Sequence, residues 1–246
     1  MFFSNRIKSI KRNDKVLEVG PGGNPFHRSD VLLEKEFEEK EWFAQSGNVE
    51  PNSKGKKTVF YTGDKFPFKD KEFDYVICSH VLEHVSDIEQ FTSELKRVAK
   101  AGYIEYPTLY YDYIYNFEVH TTFLLEKNGI IYWMLKNETN LEQFKPIQNF
   151  FRSILDIAEY DKIVYELQDY LFQGFEWFED FKTIKATELK EICYDLSVLN
   201  LPLFIDKEKL RVEKLENDIK SLENSKTYRI GKLFTQPFSI FGLKKK

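Results

Sequence analysis

Cysteine is scarce in this chain, with Cys78 and Cys193 alone among 246 residues. One lies in an apolar run and the other in an expected helix, far apart in sequence. That pairing supports neither a disulfide framework nor a cysteine-based metal site, and it points to a reducing, cytoplasmic setting. Excess positive charge is also missing. The formal net charge is −4, so bulk electrostatics offers no case for nucleic-acid binding. No window approaches the ~18 consecutive apolar residues of a membrane-spanning helix. The first fifteen residues, MFFSNRIKSIKRNDK, lack the sustained apolar core of a secretory leader. Aromatic side chains, in contrast, are plentiful, with 23 Phe and 14 Tyr. Their abundance alongside Lys, Ile and Asn fits AT-rich coding, which makes most of them core residues rather than a ligand surface. The length allows one domain of ordinary size with an appendage.

The organising stretch is Lys15–Pro25, KVLEVGPGGNP. Val16–Val19 reads as a buried parallel strand, broken at once by a Gly/Pro turn. Gly20 and Gly22 lack a Cβ, so a ligand can lie against the main chain there. In open α/β sheets the site is the crevice beyond the carboxyl ends of the strands. Glu18, near the end of this strand, is a place for a carboxylate facing a cationic ligand group. A purely structural βα turn would read the same way.

The rest of the first half keeps that rhythm. Residues 2–12 are expected to form a short helix. Asp30–Glu34 reads as a second strand ending in a carboxylate, with Phe26–Ser29 making at most one turn between the two strands. Glu34 is placed to accept hydrogen bonds from the ribose hydroxyls of a nucleoside cofactor, although it stands closer to the first glycine than the ~20 residues usual in dinucleotide-binding folds. Residues 35–57 form a charged surface loop or lid. Thr58–Tyr61 and Tyr75–Cys78 are the third and fourth strands. Between them, Asp64 could accept from an exocyclic amine and Phe66 could cover a base face. An ordinary turn aspartate and a core phenylalanine are the plainer readings. Ile88, Phe91, Leu95 and Val98 mark a helix with one buried face. Lys100–Gly102 would end it, and Tyr103–Pro107 is the fifth strand.

The run GDKFPFKDKEFDYVICSHVLEHV, residues 63–85, placed after a glycine-rich first turn, resembles class I S-adenosylmethionine-dependent methyltransferases, and most of all the type 11 subgroup. The likeness covers roughly residues 13–107. GPGGNPFHRSDVLLE also resembles methyltransferases encoded among bacterial surface-polysaccharide genes, although GPGGNP departs from the usual Gly-x-Gly-x-Gly. The resemblance implies an α/β, doubly wound Rossmann-like sheet with S-adenosyl-L-methionine as cofactor. It places Gly20, Pro21, Gly22 and Asn24 about the methionine moiety and Glu34 on the ribose. Asp64 would meet the adenine amine, and the Lys65 backbone its ring nitrogen, with Phe66 alongside. Ser79 and His80 would border the sulfonium.

A rival pattern overlaps it. His80-x-x-Glu83-His84 is the H-x-x-E-H of one class of zinc peptidases, whose two imidazoles share a helix face. Here it directly follows a strand at the crevice edge, behind a nucleoside-pocket pattern, so no metal is expected, and His84 packs or caps beneath the site.

Beyond Thr108 the family pattern fades. Tyr110, Tyr111, Tyr113, Tyr115 and Phe117 would form a loop overhanging the methyl group. Two apolar runs, 121–125 and 130–135, flank Glu126–Gly129 as in a hairpin. His120 is the first choice for acid/base work, with His84 beside it. His27, Arg28 and Tyr110 are acceptor-binding candidates. Residues 141–171 read as one or two helices, 175–181 as a last strand, and 186–199 as a final helix. The expected division is a methyltransferase domain over 1–200, with an aromatic-rich, helical, acceptor-covering insertion at 108–175, and a helical tail over 201–246. In the tail, Val212, Leu215, Ile219 and Leu222 form a short a/d stripe. Ser225–Leu233 is similar to tails of bacterial polysaccharide enzymes. The apolar, basic end, Phe238–Lys246, could touch a membrane or a capsule enzyme.

The expected activity is O-methylation in capsule or surface-polysaccharide biosynthesis. The acceptor would be a small molecule or nucleotide-linked precursor, with a sugar hydroxyl or a phosphorus-containing, phosphoramidate-like decoration taking the methyl group. A quinone or lipid methyltransferase is the alternative. A zinc hydrolase and a non-catalytic partner subunit are further ones.

Overall fold

A computed structural model describes residues 3–36, 52–139, 141, 144–155, 157–196 and 207–224. The chain divides into two compact units, Met1–Tyr194 and Asp195–Lys246.

The first unit is built on a six-stranded sheet. Its strands are β1 (Val16–Val19), β2 (Val31–Lys35), β3 (Lys57–Tyr61), β4 (Phe73–Ser79), β5 (Ala99–Pro107) and β8 (Phe172–Phe178), in the order β3-β2-β1-β4-β5-β8. The first five run parallel, and β8 is antiparallel to β5. All four residues of β1 are buried, as are Phe73 and Tyr75–Cys78 of β4, the pattern of parallel strands covered on both faces. The order reverses between β1 and β4, the switch point at which such sheets open a crevice. Helix α1 (Ile88–Val98) covers one face. Asp87 caps it by accepting from the Gln90 N–H at 3.0 Å, and Ile88, Phe91, Leu95 and Val98 face the core that holds Leu17, Val76 and Cys78.

A second, three-stranded sheet has the order β6-β7-β9. Its hairpin, β6 (Thr122–Lys127) and β7 (Ile130–Leu135), is the expected one. β9 (Lys182–Lys185) joins β7 in parallel. Its mostly exposed, polar residues carry no strand periodicity, which is why the sequence reading stopped at residue 181. The hairpin alternates between two cores. Leu124, Ile131 and Trp133 join the main one, while Phe123, Leu125 and Met134 pack with Ala186 and Ile192. Helices α2 (Leu109–Tyr115), α3 (Lys145–Ser153), α4 (Ala158–Glu166) and the short α5 (Gln168–Leu171) complete this unit.

Four expectations are corrected. Within residues 2–12 the only described helix is a 3₁₀ turn at Ser4–Arg6, because tertiary bonds take over the backbone groups. The Phe3 N–H donates to Glu105, and the Ser9 N–H to Glu176. Lys100–Gly102 belongs to β5. A Cβ on Gly102 would lie 2.5 Å from the Val76 carbonyl oxygen, so glycine here serves strand approach rather than helix termination. The aromatic stretch after β5 is helix α2, not a loop. It ends at Asn116, whose φ of 46° lets its N–H reach the Asp112 carbonyl. Over 186–199 the described residues hold only a 3₁₀ turn, Leu189–Ile192, with Glu188 and Glu191 capping each other's backbone.

In the second unit, α6 (Lys207–Asn224) carries the predicted stripe, and Val212, Leu215 and Ile219 are each about half exposed. The expectations for Ser225–Leu233 and Phe238–Lys246, and for most of the 35–57 loop, lie outside the described residues. Among the described residues no helix is long and apolar enough to cross a membrane.

Candidate functional site

The carboxyl ends of the parallel strands meet around a cavity of about 300 Å³. Val19 and Gly20 leave β1, Leu33 and Glu34 end β2, Tyr61 ends β3, and His80 follows β4. Gly63, Asp64, Gln90 and Phe91 close the far side. Gly20 has φ +63°, and a Cβ there would stand 2.6 Å from Val81 Cγ2. The first turn can therefore approach the segment after β4 only as glycine. Among the described residues nothing lies within 4 Å of the Cβ position of Gly22.

Glu34 is one of three described carboxylates that line this cavity, with Asp64 and Asp87. It accepts from the Gly22 N–H at 3.1 Å. Burial pushes its pKa up to about 7; the Gly22 bond opposes the shift and the Glu18 charge adds to it. A half-buried carboxylate at the end of the second strand, beside a glycine turn, fits a ribose diol. Asp64 lies across from it, with its carbonyl held by Gln90 at 2.7 Å. These features fit an adenosyl cofactor: open main chain for its methionine end, Glu34 for its ribose, and Tyr61 and Phe91 as apolar walls.

Of the residues assigned to the cofactor from sequence, Gly20, Gly22, Glu34, Asp64 and His80 line the cavity, while Glu18, Pro21, Asn24, Lys65, Phe66 and Ser79 do not. Glu18 is buried and turned into the first loop, accepting from the Phe26 N–H at 2.8 Å and from Ser29 Oγ at 2.6 Å. It therefore braces the turn and faces no ligand cation. Phe66 is 1% exposed, packed edge-on between Tyr61 and Phe91, with its N–H on Glu94. The aromatic wall it was expected to supply comes from those two neighbours instead. Lys65 is exposed, and Asn24 takes a bond from Lys54. Ser79 Oγ donates to Glu105 at 3.0 Å.

The corner after β4 is dense with charge. His80 adopts φ +56°, unusual for a residue with a side chain. Its ring is clamped between two buried carboxylates. Nδ1 is 3.2 Å from Glu83, and Nε2 is 3.3 Å from Glu105, both at angles that make no hydrogen bond. Burial would lower the pKa of His80, yet the two carboxylates raise it above the usual value. Glu105 is itself fully buried and also accepts from the Tyr103 hydroxyl.

Beside this corner stand His84 and, 36 residues on at the approach to β6, His120. Their rings meet edge to face with centroids 4.7 Å apart. The Thr121 N–H donates to the Glu83 carbonyl at 2.7 Å, and Thr122 Oγ1 to that of Val85 at 2.6 Å, which fastens the two segments together. His84 Nδ1 donates to the Val119 carbonyl at 3.2 Å, and burial lowers the His84 pKa. His120 Nδ1 is 3.0 Å from Asp112, a buried carboxylate on α2 that Lys136 also approaches at 3.4 Å. Among the described residues neither Nε2 has a hydrogen-bond partner. His84 lines the first cavity. His120 lines a second, of about 530 Å³, with Asn116, Thr121, Lys136 and Asn137. Ser86 lines both.

The remaining expected residues fall elsewhere. His27 is exposed on the first loop. Arg28 donates to the carbonyls of Lys11 and Arg12. Tyr110 stacks on Tyr194 at 4.9 Å and accepts from its N–H. None lines either cavity. The zinc-peptidase pattern also dissolves. Leu82–His84 is a 3₁₀ turn, and His80 precedes it in a left-handed conformation, so His80 and His84 do not share a helical face. Sequence reading missed Glu105 and Asp112. The available signal was a single carboxylate amid apolar or aromatic neighbours, in YIEYP and LYYDYIY.

Residues 42–104 match the model of a methyltransferase domain. The match leaves out the first turn but takes in Asp64, the β4 corner and α1. That stretch, about a quarter of the chain, is similar to a methyltransferase domain. An uncharacterized protein of Methanocaldococcus jannaschii is 28% identical over 42% of the chain, and the chain spans about half the length of that relative. Among solved structures, an S-adenosylmethionine-dependent methyltransferase from Mesorhizobium loti is 14% identical, covering 66% of this chain and 89% of its own, with a TM-score of 0.34. A putative methyltransferase from Bacillus halodurans is 22% identical, covering 46% and 57%, with a TM-score of 0.33. Scores this low carry no argument about this chain; the strand order and the crevice do.

Proposed function

We propose that this protein transfers the methyl group of S-adenosyl-L-methionine to an oxygen of a small polar acceptor, a sugar hydroxyl or a phosphorus-containing group on a surface-polysaccharide precursor. The observation that carries the reading is the placement of Glu34 and the open glycine turn at the carboxyl edge of the sheet, in a cavity that runs past His84 toward a second hollow. The cofactor supplies the reactive carbon and the leaving thioether. The task of the chain is to hold the acceptor oxygen about 3–3.5 Å from that carbon and in line with it, which can contribute ~7–11 kcal/mol. It must also deal with the proton of a hydroxyl acceptor, a service worth ~10²–10⁴-fold. The pair His84 and His120, backed by Asp112 and Glu83, is the group placed to do this.

Lys136 and Asn137 beside His120 offer polar atoms to a hydroxylated acceptor, while Leu135 and Leu141 give the same hollow an apolar side that keeps a quinone or lipid as the second reading. The polysaccharide context rests on the likeness of residues 20–34 noted above. Calorimetry with S-adenosylhomocysteine, followed by label transfer from S-adenosylmethionine to a panel of nucleotide sugars and capsule precursors, tests the reading. One-to-one binding and a labelled polar product are expected. No binding would leave a non-catalytic subunit, and label only in quinone or lipid would move the acceptor class.

A further inference from the structure

Glu83 presents a problem of its own. It is fully buried, and neither carboxylate oxygen has a hydrogen bond. An uncompensated carboxylate in such a place costs several kcal/mol. Three imidazoles surround it: His80 Nδ1 at 3.2 Å, and the edge-to-face pair His84 and His120.

We infer that Glu83, His84 and His120 form a binding site for one divalent transition-metal cation, set between the cofactor cavity and the acceptor hollow. One ligand atom from each, all within 4.8 Å of one another, can converge on a common point. That is a small side-chain rotation from the spacing adopted by ligands ~2.0–2.2 Å from a shared ion. The outer contacts are those of metal-binding imidazoles. His84 Nδ1 is spent on the Val119 carbonyl and His120 Nδ1 on Asp112, which turns both Nε2 atoms inward as donors. Two imidazoles and one carboxylate suit zinc, iron or a similar first-row ion rather than magnesium or calcium, and they leave coordination positions open.

The position of the site says what the open positions are for. His84 borders the cavity assigned to the methyl donor and His120 the hollow assigned to the acceptor. An acceptor oxygen bound there would be oriented toward the methyl group, and its acidity would rise, so that its proton could pass to solvent. With a cation bound, His84 and His120 serve as its ligands in place of the base role given above; this use of the cation rests on the methyl-transfer reading, and the site itself does not. His80 takes no part as a ligand. Its ring lies between Glu83 and Glu105 and stands opposite the imidazole pair as a fixed neighbour of the Glu83 carboxylate.

The test uses the full chain, stripped with chelator and dialysed. Cobalt(II) is titrated by its visible absorption and zinc(II) by competition. One equivalent per chain should bind at micromolar concentration or tighter. His84→Ala and His120→Ala should each weaken binding by about 100-fold or more, and Asp112→Asn by about tenfold through the orientation of His120. His27→Ala, which alters an exposed imidazole, should leave the affinity unchanged. Thermal denaturation of each stripped protein reports folding independently of the metal, and S-adenosylhomocysteine binding to the stripped wild-type chain reports the cofactor cavity. Absence of stoichiometric binding to the wild-type chain overturns the inference, as does binding that survives in both histidine variants. Cofactor bound without a cation ends this proposal and keeps the methyl-transfer reading. A cation bound without cofactor does the reverse.

Discussion

The two halves of the site are made in different ways. The donor cavity is assembled from the ends of successive parallel strands, and much of it is main chain: the Gly20–Gly22 turn, the Glu34 carboxylate one strand over, and the bend after β4. The acceptor side is assembled from side chains that converge from a 3₁₀ turn (Glu83, His84), a helix (Asp112), the approach to β6 (His120) and the start of a second turn (Lys136). Its buried polar groups lean on one another, whereas those of the donor cavity lean on backbone. One half is therefore a property of the fold class, tolerant of side-chain change outside a few positions. The other is a property of this chain, and it fails if any one member is removed.

Four substitutions bear on that contrast. The largest effect is expected for the double variant His84→Ala/His120→Ala. Its turnover should fall by about 10²–10⁴-fold, while S-adenosylhomocysteine affinity by calorimetry stays within about tenfold, because only His84 of the two lines the donor cavity and its hydrogen bond runs to Val119. Loss of cofactor binding would mean that the two halves are one. Glu34→Gln should do the opposite, weakening cofactor affinity by about 10–100-fold, the worth of charged hydrogen bonds to ribose.

Glu34 also predicts a pH dependence. The unfolded chain releases this proton near pH 4.5, and the folded chain keeps it to about 7. Below pH 4.5 the group contributes its full stability, and on the order of 2–3 kcal/mol of it is lost as pH rises to 7. Cofactor affinity should climb through the same interval as the carboxylate appears. Denaturant melts and calorimetry at pH 5, 6, 7 and 8 should show these opposite trends, and both should vanish in Glu34→Gln.

Gly20→Ala is the intermediate case. The left-handed backbone alone costs roughly 1–2 kcal/mol, and the 2.6 Å approach to Val81 adds to it. Adding Val81→Ala should recover the contact part but not the backbone part, a split that thermal denaturation would read. Smallest of all is Tyr110→Phe. Its hydroxyl serves the Tyr194 N–H and lines neither cavity, so turnover should change by less than about twofold; a larger loss would return Tyr110 to the acceptor site.

The donor half was legible in the sequence because its signals are local. An apolar run followed by Gly-Pro-Gly marks a strand and its turn, and a carboxylate at the end of the next apolar run marks Glu34. Phe66 and Glu18 misled for a related reason. Their neighbours in sequence suggested a site, but Glu18 is directed by the pleat of β1 and Phe66, in the loop after β3, by packing between Tyr61 and Phe91, and both side chains are buried in protein. The acceptor half carried weaker signals. HxxEH offered, as a rival set aside, a helix with His80 and His84 as ligands; a left-handed His80 and a 3₁₀ turn instead bring His84 against His120. Lys182–Lys185, polar and exposed, gave no sign of becoming a strand until β7 paired with it.

By itself, then, the chain of residues determined the alternation of buried strands, the glycine bend between β1 and β2, the capped helix α1 and the β6–β7 hairpin, all consequences of periodicity and turn chemistry within a few residues of each other. The tertiary structure alone decided that His120 would meet His84, that Asp112 would stand behind it, and that Glu83 would be sealed in beside them. Those meetings depend on the hairpin docking against the β4 corner through the Thr121 and Thr122 bonds. Contacts across such a separation are set by how whole faces pack, which no short window of sequence encodes.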